Sequence, residues 1–99
     1  MTDSVTTINP ATEETIADYT LLNLEQANNE VDKSHNAFLQ WRHTSLDERA
    51  EYLNKLADVF EKNQQSLARL MTKEMGKHYP QGLQEVELCA AICRYSAEQ

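Results

Sequence analysis

The 99 residues of this chain suffice for one small hydrophobic core and exclude a subunit with several complete functional domains. Its 16 acidic residues against 9 basic ones give a formal charge of −7, so we expect no nucleic acid partner, because a phosphate backbone would be repelled. The chain has neither an apolar run that could span a membrane nor a leader-like start, so we expect a cytoplasmic location and no membrane partner.

The beginning of the chain predicts a loose tail followed by a β-hairpin. Residues 1–7 are polar, and we expect them to be loosely ordered. Turn signals follow, because Pro10 fixes its φ angle and the Asn9 side chain can hydrogen-bond the backbone ahead of it. Apolar residues alternate after this turn, which predicts a strand and places the hairpin over residues 8–22.

Four helices are predicted over residues 23–99. The first begins with Asn23 as its N-cap and runs to about Trp41, along a face whose apolar or small residues recur at spacings of three and four. A capping box of Ser45 and Glu48 begins the second helix, which has the clearest apolar stripe. The two faces consist of Leu24, Ala27, Val31, Ser34, Phe38 and Trp41, and of Leu46, Ala50, Leu53, Leu56, Ala57 and Phe60.

The third helix is shorter and is predicted to end at Gly76, a residue suited to the positive φ of a helix end. Pro80 and Gly82 are expected to form a turn, and the last helix is expected to span Gly82 to Gln99. Apolar residues spread around this last helix more widely than one face, which predicts burial on more than one side. The predicted fold class is therefore mostly α with a short N-terminal β-hairpin, and part of its surface is expected to need a partner.

The residues that most often carry chemistry are spaced unfavourably for a site. His35, His43 and His78 never stand four residues from one another or from a cysteine, which favours solvated surface histidines over a metal site. Cys89 and Cys93 are four residues apart in a helical pattern, where we expect reduced thiols that act as small apolar residues.

Glutamates are numerous, but no pair stands out for acid–base catalysis, because glutamate-rich helical positions usually form solvated faces. Two glycines cannot build a glycine-rich phosphate cradle. No catalytic, cofactor-binding or metal-binding residue is predicted, and no cofactor is expected to bind this chain alone. The glutamates considered are Glu13, Glu14, Glu48, Glu51, Glu74, Glu85 and Glu87.

Six short segments carry a resemblance to a known family. They are Ile8 to Glu13, the pair Ala37-Phe38 with Trp41, Glu48 to Ala50 with Leu53 and Leu56, Met71 to Lys77, Glu85-Val86, and Arg94-Tyr95 with Ala97-Glu98. In this order they are similar to the amino end of aldehyde dehydrogenases, and the resemblance covers about residues 8–98. The run Glu-Met-Gly-Lys, followed by Glu-Val and Ala-Ala, most resembles the succinate-semialdehyde dehydrogenase branch.

The resemblance implies that the complete enzyme oxidises an aldehyde to an acid with NAD or NADP, on a homo-oligomer whose subunits have a cofactor domain, a catalytic domain and an oligomerisation arm. Its cysteine nucleophile and glutamate base lie beyond the region that resembles this chain, and Cys89 does not match that nucleophile. The region itself resembles the N-terminal helical layer of the cofactor-binding domain. Arg94 and Tyr95 would then lie near the path of the aldehyde.

Three substitutions depart from the family pattern. Glu13 and Glu14 stand where the family often has Gly-Glu, so the hairpin turn is expected to be strained or of another type. His78 stands where a proline is usual after Gly-Lys, which loosens the helix stop, although Pro80 can restore it. Ser96 replaces an aromatic residue that is common in the family.

Three interpretations of function remain open, and they leave it undecided whether this chain should be called an enzyme. The first is an N-terminal fragment of an NAD(P)-dependent aldehyde dehydrogenase that converts succinate semialdehyde to succinate, catalytically incomplete alone and partnered by the remainder of the subunit. The second is a non-catalytic helical interaction module that binds a partner, such as a full-length relative, through the hairpin and the last helix. The third is a plain helical bundle.

Overall fold

The computed structural model describes residues 3–99 and consists of a two-stranded hairpin followed by four helices. The fold class predicted from the sequence is therefore confirmed. None of the helices within residues 3–99 has the length and apolarity that a membrane span requires. The elements are β1 (Ser4–Ile8), β2 (Thr15–Thr20), α1 (Leu24–Trp41), α2 (Leu46–Lys62), α3 (Gln64–Met75) and α4 (Tyr79–Glu98).

The hairpin begins earlier than the sequence predicted. Strands β1 and β2 are antiparallel, with Val5 opposite Tyr19 and Thr7 opposite Ala17, and the register shifts between Thr7 and Ile8. The prediction of a loose tail over residues 1–7 is wrong for its last four residues, which lie in β1 and pair with β2. The polar composition of residues 1–7 suggested a loosely ordered segment, but pairing with β2 orders residues 4–7 as a strand. Met1 and Thr2 lie outside the described residues.

The turn between the strands is closed by Asn9, as predicted. The Asn9 amide donates to the Glu14 carbonyl at 2.9 Å, and the Glu13 amide donates to the Asn9 carbonyl at 2.8 Å. The Asn9 side-chain oxygen accepts a further bond from the Ala11 amide at 2.9 Å. This closure forces Glu13 to a φ of 65°, in the left-handed region. The strain expected where the family often has glycine is thus confirmed and lies at Glu13.

Replacing Glu13 by glycine is expected to stabilise the chain by up to about 1 kcal/mol, because a side chain in the left-handed region costs roughly 1–2 kcal/mol and glycine loses part of this gain through backbone entropy. The measurement is the free energy of unfolding in urea. Glu14→Gly is the matched control: it removes the same charge one residue later, where φ is not positive, so it should destabilise the chain. Equal effects of the two variants would contradict the explanation.

Capping residues set three of the helix ends as predicted. The Asn23 side chain accepts from the Gln26 amide at 2.8 Å, and the Asn23 amide donates to the Gln26 side chain at 2.9 Å. At the start of α2, the Ser45 hydroxyl accepts from the Glu48 amide at 3.1 Å, which is one of the two hydrogen bonds of the predicted capping box. Helix α3 is capped by Gly76, which has a φ of 73° in the left-handed region. The Gly76 amide donates a hydrogen bond to the Thr72 carbonyl.

Helix α4 begins at Tyr79, so the predicted turn at Pro80 and Gly82 is wrong. Pro80 lies in the first turn, where a helix needs no amide donor and proline is well tolerated. Gly82 lies inside the helix and is buried against α3, where a Cβ atom would stand 3.2 Å from the Cβ of Ala68. Glycine at position 82 therefore allows close helix packing. Pro80 and Gly82 have the composition of a turn, but each residue has a helical role here.

The core lies where α4 packs against α2 and α3. Its fully buried apolar residues are small, namely Ala57, Ala68, Val86 and Ala90. Small side chains let the three helices approach closely but bury little apolar area. Helix α1 has no buried residue and extends away from this core.

The molecule is a flat layer. It extends 47 × 40 × 16 Å, and its radius of gyration is 17.7 Å, against about 13 Å for a compact chain of this length. Its accessible surface is 8094 Å², whereas a folded monomer of this mass exposes about 5,800 Å². The excess of roughly 2,300 Å² means that surface normally buried in a domain is exposed in this chain.

Candidate functional site

The thiols and imidazoles do not form a reactive cluster. Cys89 and Cys93 are both free and half-buried along α4. Within residues 3–99, no three side chains of His, Cys, Asp or Glu come together in a way that could hold a metal ion. His35 lies beside an aromatic ring of its own helix, 6.2 Å from Phe38 between ring centroids.

Arg94, one of two residues that the resemblance places near a substrate path, joins two helices. Its guanidinium donates to Asp58 Oδ1 at 2.8 Å and to Glu61 Oε1 at 2.9 Å, both on α2. These hydrogen bonds, first that to Asp58 and then that to Glu61, raise the pKa of Arg94 above its ordinary value. Within this chain Arg94 therefore fixes α4 against α2.

Tyr95, the second of these residues, does not share that environment. Its side chain is exposed, and it follows Leu88 and Ile92 at helical spacing along the outer side of α4. The structure thus separates the two residues: Arg94 contacts α2, and Tyr95 belongs to an outward apolar surface.

The segment from Met71 to Lys77 forms the end of α3 and the start of the connection to α4. The Thr72 hydroxyl donates to the Lys77 carbonyl at 2.8 Å and holds the chain as it leaves α3. The Lys77 ammonium then pairs with Glu85 Oε2 of α4 at 2.7 Å. Together these bonds fix the direction in which α4 departs.

The same segment receives the hairpin. The Thr7 hydroxyl donates to Glu74 Oε1 at 3.2 Å. Pro10, at the tip of the hairpin, lies so close to Gly76 that a Cβ atom there would stand 3.2 Å from the proline Cγ. Sequence reasoning missed both contacts, because no local pattern indicates which distant segments meet. The structure shows that two of the six family-like segments, residues 8–13 and 71–77, meet here through Pro10 and Gly76.

Two apolar strips lie on the exposed surface of the helices. The α1 strip consists of Leu24, Val31, Phe38 and Trp41, and the α4 strip consists of Leu88, Ile92 and Tyr95; all seven side chains are exposed. Trp41 is held at one end of its strip, because its ring packs against Tyr52 at 5.4 Å and lies 5.4 Å from the Arg49 guanidinium carbon. The candidate functional feature of this chain is therefore a contact surface.

Comparison with known sequences gives this surface a context. The model of the aldehyde dehydrogenase family matches residues 1–99. A probable NADP-dependent succinate-semialdehyde dehydrogenase from Synechocystis is 36% identical over 96 residues, which cover 97% of this chain and 21% of that protein. A non-phosphorylating aspartate-semialdehyde dehydrogenase from Halomonas elongata is 41% identical over 90 residues, covering 91% of this chain and 18% of that protein.

Solved structures agree with the sequence comparison. A succinic semialdehyde dehydrogenase from Streptococcus pyogenes, in complex with NADP+, superimposes with a TM-score of 0.87 at 30% identity, covering 94% of this chain and 21% of that one. An NADP-dependent glyceraldehyde-3-phosphate dehydrogenase from Bacillus halodurans has the same fold, with a TM-score of 0.92 at 23% identity over 97% of this chain and 20% of that one. The chain spans about a fifth of the length of these relatives.

The family match over the whole chain, the agreement in fold and the order of the six segments support one assignment. The relatives include proteins named as succinate-semialdehyde dehydrogenases and one named as an aspartate-semialdehyde dehydrogenase. The chain belongs to the aldehyde dehydrogenase family.

Proposed function

We propose that this chain forms the N-terminal helical layer of an NAD(P)-dependent aldehyde dehydrogenase subunit and becomes part of an active enzyme only together with the remainder of that subunit. The observation that carries the proposal is the exposed surface, which exceeds that of a compact monomer by roughly 2,300 Å². A surface of this size exceeds what one partner contributes to a standard interface, about 800 Å².

The character of that surface supports the proposal. The α4 strip lies on the side of α4 opposite to Val86 and Ala90, which pack in the core. Burying exposed Leu, Ile and Tyr side chains stabilises a complex by about 1.5–3 kcal/mol for each large side chain. The hairpin is fixed to α3 by Thr7 and Pro10, so the layer can present one continuous face to the rest of the subunit.

In the complete enzyme, we propose that the substrate is succinate semialdehyde and that the coenzyme is NADP or NAD. The names of the relatives from Synechocystis and Streptococcus pyogenes support this choice. The Halomonas relative is named for aspartate semialdehyde. Both semialdehydes have an aldehyde at one end of a short carbon chain and a carboxylate at the other. The substrate class we propose is therefore a short semialdehyde with a terminal acid group.

Complementation tests the proposal. This chain is co-expressed with the Streptococcus pyogenes enzyme that lacks its matching segment, and reduction of NADP+ and NAD+ is followed at 340 nm with succinate or aspartate semialdehyde. We expect activity only when both parts are present. Ile92→Asp should abolish assembly and activity, whereas Asn36→Asp adds the same charge at a polar exposed position of α1 and should preserve both.

A stable complex that reduces neither coenzyme with either aldehyde would contradict the enzymatic proposal. The apolar strips favour a second candidate in that case, a non-catalytic module that binds a full-length relative. Such a module should bind the intact Streptococcus enzyme with defined stoichiometry in sedimentation experiments. Activity of the shortened enzyme without this chain would also contradict the proposal, since the layer would then be dispensable.

A further inference from the structure

The direction of helix α1 is not set by the core. Within the described residues 3–99, no residue of α1 is buried, whereas the core lies where α4 packs against α2 and α3. A helix normally takes its direction from the apolar face that it buries. Since α1 buries no such face in this chain, its direction depends on how its ends are held, and the connection to α2 spans residues 42–45.

A ring of hydrogen bonds holds the carboxyl end of α1 against the start of α2. The Arg49 guanidinium of α2 donates from Nε to the Thr44 hydroxyl at 2.8 Å and from a terminal nitrogen to the Trp41 carbonyl at 3.0 Å. The Thr44 hydroxyl and amide donate in turn to that carbonyl at 2.7 Å and 3.0 Å. Trp41 is the last residue of α1, where carbonyl groups have no acceptor role within the helix. One α2 side chain thus binds both the end of α1 and the connection that follows it.

Aromatic contacts restrict the same corner. The Arg49 guanidinium carbon lies 5.4 Å from the centroid of the Trp41 ring, within the range of cation–π attraction. The Tyr52 ring of α2 packs against the Trp41 ring at 5.4 Å between centroids, with an interplanar angle of 48°. Arg49 and Thr44 are both half-buried, which strengthens the hydrogen bonds between them. The hydrogen bonds therefore fix the backbone at the end of α1, and the rings fix its last side chain against α2.

We propose that Arg49 is a positioning residue that sets the direction of α1 and thereby holds the exposed α1 strip in the orientation in which it meets the remainder of the subunit. The orientation toward the remainder rests on the proposed function, whereas the effect of Arg49 on α1 concerns this chain alone. Because α1 contributes no buried residue to the core, opening the ring frees α1 to take several directions while α2, α3 and α4 stay packed.

The length of α1 converts small changes at this corner into large displacements at its far end. Asn29 is exposed on α1 and lies about 18 Å from Trp41 along the helix axis, so a tilt of about 20° moves Asn29 by about 6 Å. Displacements of this size are resolved by pulsed electron paramagnetic resonance between two spin labels.

Two pairs of spin labels test the proposal in the full chain, with Cys89 and Cys93 replaced by serine. Labels at Asn29→Cys and Gln65→Cys, both at exposed positions, report the direction of α1 relative to α3. Labels at Gln65→Cys and Glu87→Cys, which is also an exposed position, report the packing of α3 against α4. The first pair measures positioning, and the second pair measures the integrity of the core.

We expect Arg49→Gln to widen the α1–α3 distance distribution by at least about 6 Å and to leave the α3–α4 distance unchanged. Thr44→Val removes no charge but opens the same ring, so it should widen the α1–α3 distribution similarly. The double variant should widen it no further, because both residues belong to one network. Arg42→Gln is the matched control: Arg42 is exposed in the same connection, outside the ring, and its loss should leave the distribution narrow.

Four results would overturn the positioning role of Arg49. They are a parent distribution as wide as that of Arg49→Gln, an unchanged distribution in Thr44→Val, equal widening in Arg42→Gln, and a changed α3–α4 distance in Arg49→Gln. The last result would make Arg49 a support of the core rather than of α1.

Complementation separates this inference from the proposed function. If α1 of Arg49→Gln takes the correct direction about one tenth of the time, its apparent affinity falls about tenfold. We therefore expect half-maximal activity of the shortened Streptococcus enzyme to need about tenfold more of this variant than of the parent, with equal activity at saturation. Activity with the parent and an equal half-maximal concentration of Arg49→Gln would overturn the positioning role alone. No activity with the parent would contradict the proposed function, and the spin-label distances would still decide the role of Arg49.

Discussion

Replacing Val86 by aspartate is expected to destabilise the chain by about 3–5 kcal/mol at neutral pH and leave it largely unfolded. Val86 is 2% exposed and is the largest fully buried side chain, on the face of α4 that packs in the core. The substitution removes apolar burial and places a carboxylate in the buried core, where its charge loses its hydration. The measurement is urea unfolding followed by circular dichroism at 222 nm.

Leu88→Asp is the matched control for this variant. It adds the same charge to the same helix, two residues later, on a side chain that is 59% exposed, and we expect its free energy of unfolding to stay within about 0.5 kcal/mol of the parent. Burial raises the pKa of the new carboxyl group at position 86, so the deficit of Val86→Asp should narrow as the pH falls from 7 towards 4. Equal unfolding midpoints for the two variants would show that the described core does not hold the fold.

Local signals in the sequence were sufficient for most helix ends. Asn23, Ser45 and Gly76 each act through their own side chain or φ angle on backbone groups within four residues, so the sequence alone reveals them. The wrong predictions lie where contacts between distant parts of the chain determine the local structure. Pairing with β2 orders residues 4–7, and packing against Ala68 explains Gly82 inside α4. Such contacts are absent from local composition.

The contact surface was predictable only in outline. The wide apolar distribution on the last helix indicated burial on more than one side, and the structure leaves Leu88, Ile92 and Tyr95 exposed in agreement with a missing partner. Periodicity also identified the α1 face, but it could not reveal that the face remains unpartnered within the chain. The separation of Arg94 from Tyr95 required the structure, because it depends on where α2 lies.

Replacing Gly82 by leucine is the second variant with a large expected effect, a loss of about 2–3 kcal/mol. A Cβ atom at this position would stand 3.2 Å from Ala68 Cβ, 3.3 Å from Ala68 Cα and 3.4 Å from the Ala68 carbonyl oxygen. Two of these atoms belong to the α3 backbone, so a leucine fits only if α4 moves away from α3. Better helix propensity returns at most about 1 kcal/mol, which is less than the cost of separating the helices.

The same leucine at Gln84 provides the comparison, because Gln84 is exposed on the same turn of α4 and its substitution should change stability by less than about 0.5 kcal/mol. Urea unfolding measures both variants. Helix α4 carries the α4 strip and packs closely against α3 at Gly82. Gly82→Leu should move the strip and so prevent complementation of the shortened Streptococcus enzyme, whereas Gln84→Leu should permit complementation. If Gly82→Leu unfolds at the same urea concentration as Gln84→Leu, the close approach of α3 and α4 does not set the stability of this layer.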